Sequence, residues 1–124
     1  MKLFILVLSS ALTILDLSGN RFDAEGAVPT ELYSLPALRE LDLAGVPFAA
    51  TDAASFGNLV SNLYNLQRLD LSSCDFGSME PPSQLGLLTT LTSLSISDND
   101  FEGTVPAWIS NNSTMVELDI SKNR

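Results

Sequence analysis

Four aspartates stand at one position of a recurring segment: Asp16, Asp42, Asp70 and Asp119, with Ser95 in the same place of another copy. Each lies between two aliphatic residues, as in Leu15-Asp16-Leu17 and Leu41-Asp42-Leu43. Alternation with period two turns the aliphatics to one face of a strand and the aspartate to the other. Beside the aspartates run Ile14, Glu40, Arg68, Ser93 and Glu117, and further along each strand Gly19, Gly45, Ser73, Asp98 and Lys122. If neighbouring strands lie about 4.8 Å apart, the aspartates form a stack of like charges. The chemistry this offers is recognition of a basic peptide or protein. The residues expected to carry it are Asp16, Glu40, Asp42, Arg68, Asp70, Asp98, Glu117 and Asp119. Calcium fits less well, because no Asp-x-Asp-x-Asp-Gly loop supplies converging oxygens. The plainer reading is local: each aspartate bonds a nearby serine or backbone group.

Composition excludes most other chemistry. The 124 residues include no histidine, which removes the commonest general base and metal ligand. The single cysteine, Cys74, excludes an internal disulfide and a multi-cysteine zinc site. Serines are plentiful, but the lysines stand only near the two ends, so nothing activates a serine. The chain therefore reads as non-catalytic, with no metal and no cofactor. Fifteen acidic residues against six scattered basic ones give a net charge of −9, which argues against nucleic acid as a partner. A hydrophobic content of 45% suffices for a folded core.

The elements that position the aspartates come from a repeat. The pattern L-x-x-L-x-L-x-x-N begins at Leu12, Leu38, Leu66, Leu91 and Met115, at separations of 26, 28, 25 and 24 residues. Phe22, Phe48, Phe76 and Phe101 follow two residues after the last consensus position. A second half-unit recurs as Pro29-Leu32-Leu35-Leu38 and Pro82-Leu85-Leu88-Leu91. The chain resembles the leucine-rich repeat family. Phe101-Glu-Gly103-Thr-Val105-Pro106 resembles the motif of its plant-type subclass, and Phe22 through Gly26-Ala-Val28-Pro29 matches it with two extra residues. The resemblance covers residues 12–124. It implies an α/β solenoid of about five repeats, with a short parallel concave sheet and a 3₁₀ or helical convex side.

One strand of this kind is not stable alone; stacked units align the leucines into a continuous core. The resemblance implies that Asn20, Asn99 and Asn123 bond backbone groups of the turn leaving each strand, with Cys74 standing in the same ladder. The phenylalanines then fill the space between that turn and the convex side. Pro82 is expected where a missing N–H costs nothing at the start of a helical return. The second repeat departs most, because Val46-Pro47 replaces the ladder asparagine. There, residues 51–63 read as a convex helix capped by Thr51 or Asp52. Residues 46–52 read either as a protruding contact loop or as ordinary drift in repeat length.

The ends carry two further expectations. Residues 1–11 read either as a signal peptide, with Lys2, an apolar run and small residues at Ser9 and Ala11, or as the tail of a truncated upstream repeat. The apolar run is too short to span a membrane as a helix. Asn111-Asn112-Ser113-Thr114 holds two overlapping N-glycosylation sequons, on Asn111 and Asn112. These features favour a secreted or cell-surface protein over a cytoplasmic one. Neither end resembles a cap, so a fragment or self-association through open solenoid ends is expected. Five short strands would present about 400 Å² in projection, against about 800 Å² per partner in a standard interface. The chain alone is thus expected to bind weakly, or to belong to a larger array. The function expected is a protein- or peptide-binding module like the ligand-recognition regions of plant-type receptors. The alternative is a structural or adhesive surface scaffold without a specific ligand.

Overall fold

The computed structural model describes residues 11–21, 32, 35–48 and 62–124. The expected signal segment at 1–10, the motif around Phe22 to Pro29, and nearly all of the helix expected at 51–63 lie outside them.

Alternating leucines produce five short strands: β1 (Ile14–Asp16), β2 (Glu40–Asp42), β3 (Arg68–Asp70), β4 (Ser93–Ser95) and β5 (Glu117–Asp119). They form one parallel sheet in chain order. The register places like on like: Leu15 pairs with Leu41, Leu41 with Leu69, Leu69 with Leu94 and Leu94 with Leu118. Each strand is three residues long, shorter than the five-residue run of the consensus. The chain leaves it at once through a tight turn, in which Gly19 and Gly45 adopt φ of +67° and +74°. The same left-handed turn falls on Ser73, Asp98 and Lys122 in the later repeats.

The consensus leucines build the core. Leu38, Leu43, Leu66 and Leu91 are fully buried, and so are Leu32 and Leu35 from the convex half-unit. Phe48, Phe76 and Phe101 continue it as an offset stack, with ring centroids 5.0 and 5.4 Å apart. The convex returns differ between repeats. A 3₁₀ helix spans Ser83–Leu87, and α1 spans Ala107–Asn111. Pro82 and Pro106 each stand one place before the helix, as its cap, where the ring sets φ and the carbonyl accepts the first turn's N–H. Together these features make an α/β solenoid.

Candidate functional site

The concave face of the sheet holds a shallow groove of about 300 Å³. The sheet backbone at Leu15, Leu41 and Leu69 forms its floor, their side chains turning to the core, and Ile14, Asp16, Glu40, Asp42, Arg68, Asp70, Ser93 and Ser95 line it. Four carboxylates face one guanidinium, so the groove is net negative. Ile14 adds an apolar contact and is 61% exposed.

The aspartates do local work before any other. Asp16 Oδ1 accepts the backbone N–H of Ser18 at 2.9 Å and its hydroxyl at 2.6 Å. Asp70 Oδ1 holds Ser72 in the same way at 2.8 and 2.6 Å, and Asp42 Oδ1 accepts the N–H of Ala44 at 2.9 Å. Asp119 Oδ1 accepts the N–H of Ser121 at 3.0 Å. Each aspartate therefore fastens the turn that leaves its own strand. The Ser18 hydroxyl, and then its N–H, hold the Asp16 carboxyl below the usual carboxylate range. The Ser121 hydroxyl and N–H do the same for Asp119. Both contacts favour the ionised form of these two carboxylates.

The expected site residues do not all meet. Asp16, Glu40, Asp42, Arg68 and Asp70 line one groove. Glu117 reaches its edge from β5: its Oε2 lies 3.7 Å from Arg68 Nη2 and accepts the Ser93 hydroxyl at 3.1 Å. This chain of contacts bridges β3, β4 and β5. Asp98 stands apart, in the turn after β4, where its Oδ2 accepts the Ser73 hydroxyl at 2.9 Å. It lines a separate hollow with Asp75, Asp100 and Lys122. Among the described residues, no group of three or more Cys, Asp or Glu residues is placed to hold a metal ion.

The ladder residues sit behind the groove and fix its rim. Asn99, 2% exposed, donates Nδ2 to the carbonyls of Leu71, Ile96 and Ser97, and accepts the N–H of Cys74 at 2.8 Å. Asn123 does the same one repeat later, donating to Ile96 and accepting the N–H groups of Asn99 and Phe101. Asn20 donates to the carbonyls of Leu17 and Ser18. Cys74 replaces the amide with a thiol that donates to Leu43 at 3.1 Å. Burial pushes this thiol up to about 12, so it is a protonated donor and not a nucleophile. In the second repeat Val46 is buried as part of the core, and its N–H turns back to Leu43.

A second ladder escaped the sequence reading. Thr90 Oγ1 donates to the Leu66 carbonyl at 2.7 Å, and Thr114 Oγ1 to the Leu91 carbonyl at 2.7 Å. Asn65, one residue before the consensus leucine like both threonines, donates to the Pro36 carbonyl at 2.9 Å. The signal was present as a polar residue preceding Leu66, Leu91 and Met115. These bonds tie each convex return to the repeat before it.

Comparison with known proteins agrees with this architecture. A family model described as Leucine Rich Repeat matches residues 65–88 and 90–112, and another described as Leucine Rich repeat matches 9–29. Receptor-like protein 39 of Arabidopsis thaliana is 38% identical over 96 residues, which cover 77% of this chain and 10% of that protein. Receptor-like protein 6 of the same plant is 32% identical over 93 residues, covering 75% and 9%. This chain thus spans about a tenth of the length of the curated relatives it matches. The LRR ectodomain of the receptor kinase SOBIR1 from Arabidopsis thaliana superposes with a TM-score of 0.64 at 31% identity, covering 93% of this chain and 59% of that one. The ectodomain of the Arabidopsis receptor kinase GASSHO1/SCHENGEN3, solved in complex with CASPARIAN STRIP INTEGRITY FACTOR 2, shares the fold at 23% identity and a TM-score of 0.54, covering 91% and 16%.

Proposed function

This chain belongs to the leucine-rich repeat family, of the plant receptor-like type, and from that membership we propose that it is a non-catalytic recognition module. Its concave groove takes an extended, basic segment of a protein or peptide at the cell surface or outside the cell. The observation that supports this most is the groove itself. Asp16, Glu40, Asp42 and Asp70 project from the sheet beside the exposed Ile14, with Arg68 drawn toward Glu117. An extended segment would set basic side chains against the carboxylates and an apolar one against Ile14. The kinship with receptor-like proteins supports the extracellular setting.

The test must separate charge from fold. Alanine at Asp42 and Asp70 would remove the turn bonds along with the charge. Asparagine keeps an oxygen for the turn and removes only the charge. Calorimetry with a lysine-rich decapeptide and a glutamate-rich one of equal length, at low salt, should show binding of the first alone. D42N/D70N should weaken it about tenfold or more, since each close charge pair contributes about 1 kcal/mol or more in a partly desolvated groove. Equal affinity for the two peptides, or no effect of the double variant, contradicts the reading.

A further inference from the structure

On the convex side, away from the groove, Asn112 closes α1: its N–H donates to the Ile109 carbonyl at 3.3 Å. Its Oδ1 accepts the N–H of Thr114 at 2.9 Å and the N–H of Met115 at 3.1 Å, and lies 2.8 Å from the Thr114 hydroxyl, whose one proton goes to the Leu91 carbonyl once the repeats stack. Two backbone donors fix which end of the carboxamide is oxygen, so Nδ2 faces away from the turn. Nδ2 has no acceptor among the described residues. Asn112 is half-buried and borders a convex groove of about 330 Å³ that is also lined by Trp108, Thr89, Gly86, Asn111 and Ser113. The half-buried indole of Trp108 gives this groove an apolar wall, while Thr89 and Ser113 give it polar ones.

We propose that Asn112, and not Asn111, carries an N-linked glycan, and that its first sugar seats in the groove beside Trp108. Both residues begin an Asn-x-Ser/Thr sequon, but they differ in place. The bonds from Thr114 to Asn112 Oδ1 span two residues, so the local turn suffices to make them before the repeats stack. They draw electron density toward Oδ1 and make an Nδ2 proton easier to lose. Asn111 is the exposed last residue of α1, and no corresponding bond reaches it from Ser113 among the described residues. The co-reactant is an oligosaccharide on a lipid diphosphate, ending in N-acetylglucosamine. Nδ2 forms a bond to the anomeric carbon, and the bond from that carbon to the diphosphate oxygen breaks. The lipid diphosphate leaves with the electron pair, and one Nδ2 proton passes to a base of the transferase. The product amide keeps Oδ1, so the two backbone bonds that hold the turn survive. The sugar leaves from the one amide atom the fold does not use. An N-acetylhexosamine ring has one apolar face, which suits the indole, and a rim of hydroxyls that suits Thr89 and Ser113.

The full chain, secreted from insect cells behind a cleavable leader, provides the test. Enzymatic glycan release in ¹⁸O-water marks the modified asparagine as ¹⁸O-labelled aspartate, which peptide mass spectrometry locates. The mark is expected at position 112 in the wild type and in N111Q. A mark at 111, equal marks at both, or none overturns the assignment. Proton NMR of the intact glycoprotein reads the seat: cross-peaks between the first sugar and the Trp108 indole are expected, and their absence overturns it.

Discussion

Asn99 Oδ1 accepts the backbone N–H of Cys74 across 25 residues of sequence, at 2.8 Å and out of contact with water. One side chain thereby closes the turns of two repeats, because its Nδ2 serves Leu71 of one and Ile96 of the other. The concave groove stands on this joint, since Asp70 and Ser95 end the two strands that it ties.

Replacing Asn99 with Leu should cost about 3 kcal/mol, because several buried backbone groups lose their partner at about 1–3 kcal/mol each. Asn20→Ala should cost under about 1 kcal/mol, since its partners are within reach of water. Urea unfolding of both variants checks this, and equal losses would remove Asn99 from its central place.

Cys74 should resist alkylation at pH 8 until the chain unfolds. Its folded thiol titrates near 12, above an ordinary thiol, so the neutral form is the one the fold prefers. The stability this contributes is complete below the ordinary thiol value and is lost as pH rises from there toward 12. Iodoacetamide labelling followed against circular dichroism should show the two rates coinciding. Fast labelling of the folded chain would mean that the thiol is not a ladder donor.

The repeat, the parallel sheet, the buried leucines and the concave aspartates were all legible in the sequence, because period-two alternation and a fixed repeat length reflect stacking directly. The local role of each aspartate was legible too: Leu-Asp-Leu-Ser offers a bond to a nearby serine or backbone group, and Oδ1 accepts from the residue two places on. Asp98 lies beyond the three-residue strand, on left-handed backbone, and lines a different hollow from the other concave carboxylates. The threonine ladder stayed hidden because a threonine before a leucine is common, and its partner lies about 24 residues earlier.

Gly86→Ala should destabilise the convex side by about 1–3 kcal/mol, the usual cost of forcing extra atoms into a packed site. A Cβ there would stand 2.9 Å from Trp108 Cβ, an atom fixed close to the α1 backbone. Thermal unfolding measures the loss, and the Trp108 fluorescence of the folded variant should report a displaced indole. An unchanged melting temperature would show that α1 yields freely.

The Asp16 carboxyl should titrate below the usual carboxylate range, and Ser18→Ala should move it upward, because the Ser18 hydroxyl is the main cause of the shift. A lowered folded value means that this contact stabilises the fold above the ordinary carboxylate range and is lost as pH falls through the folded value. Carbon-detected NMR titration of the wild type and S18A gives both curves; coincident curves would contradict the bond.

The central claim is that the concave groove is the recognition surface, and amide chemical-shift mapping tests it most directly. Titrating the labelled chain with the lysine-rich decapeptide should move Leu15–Asp16, Glu40–Asp42 and Arg68–Asp70 together. The convex residues 83–87 and 107–111 should stay still, and added salt should reverse the shifts. Shifts concentrated on the convex residues, or spread evenly over the chain, would contradict the account.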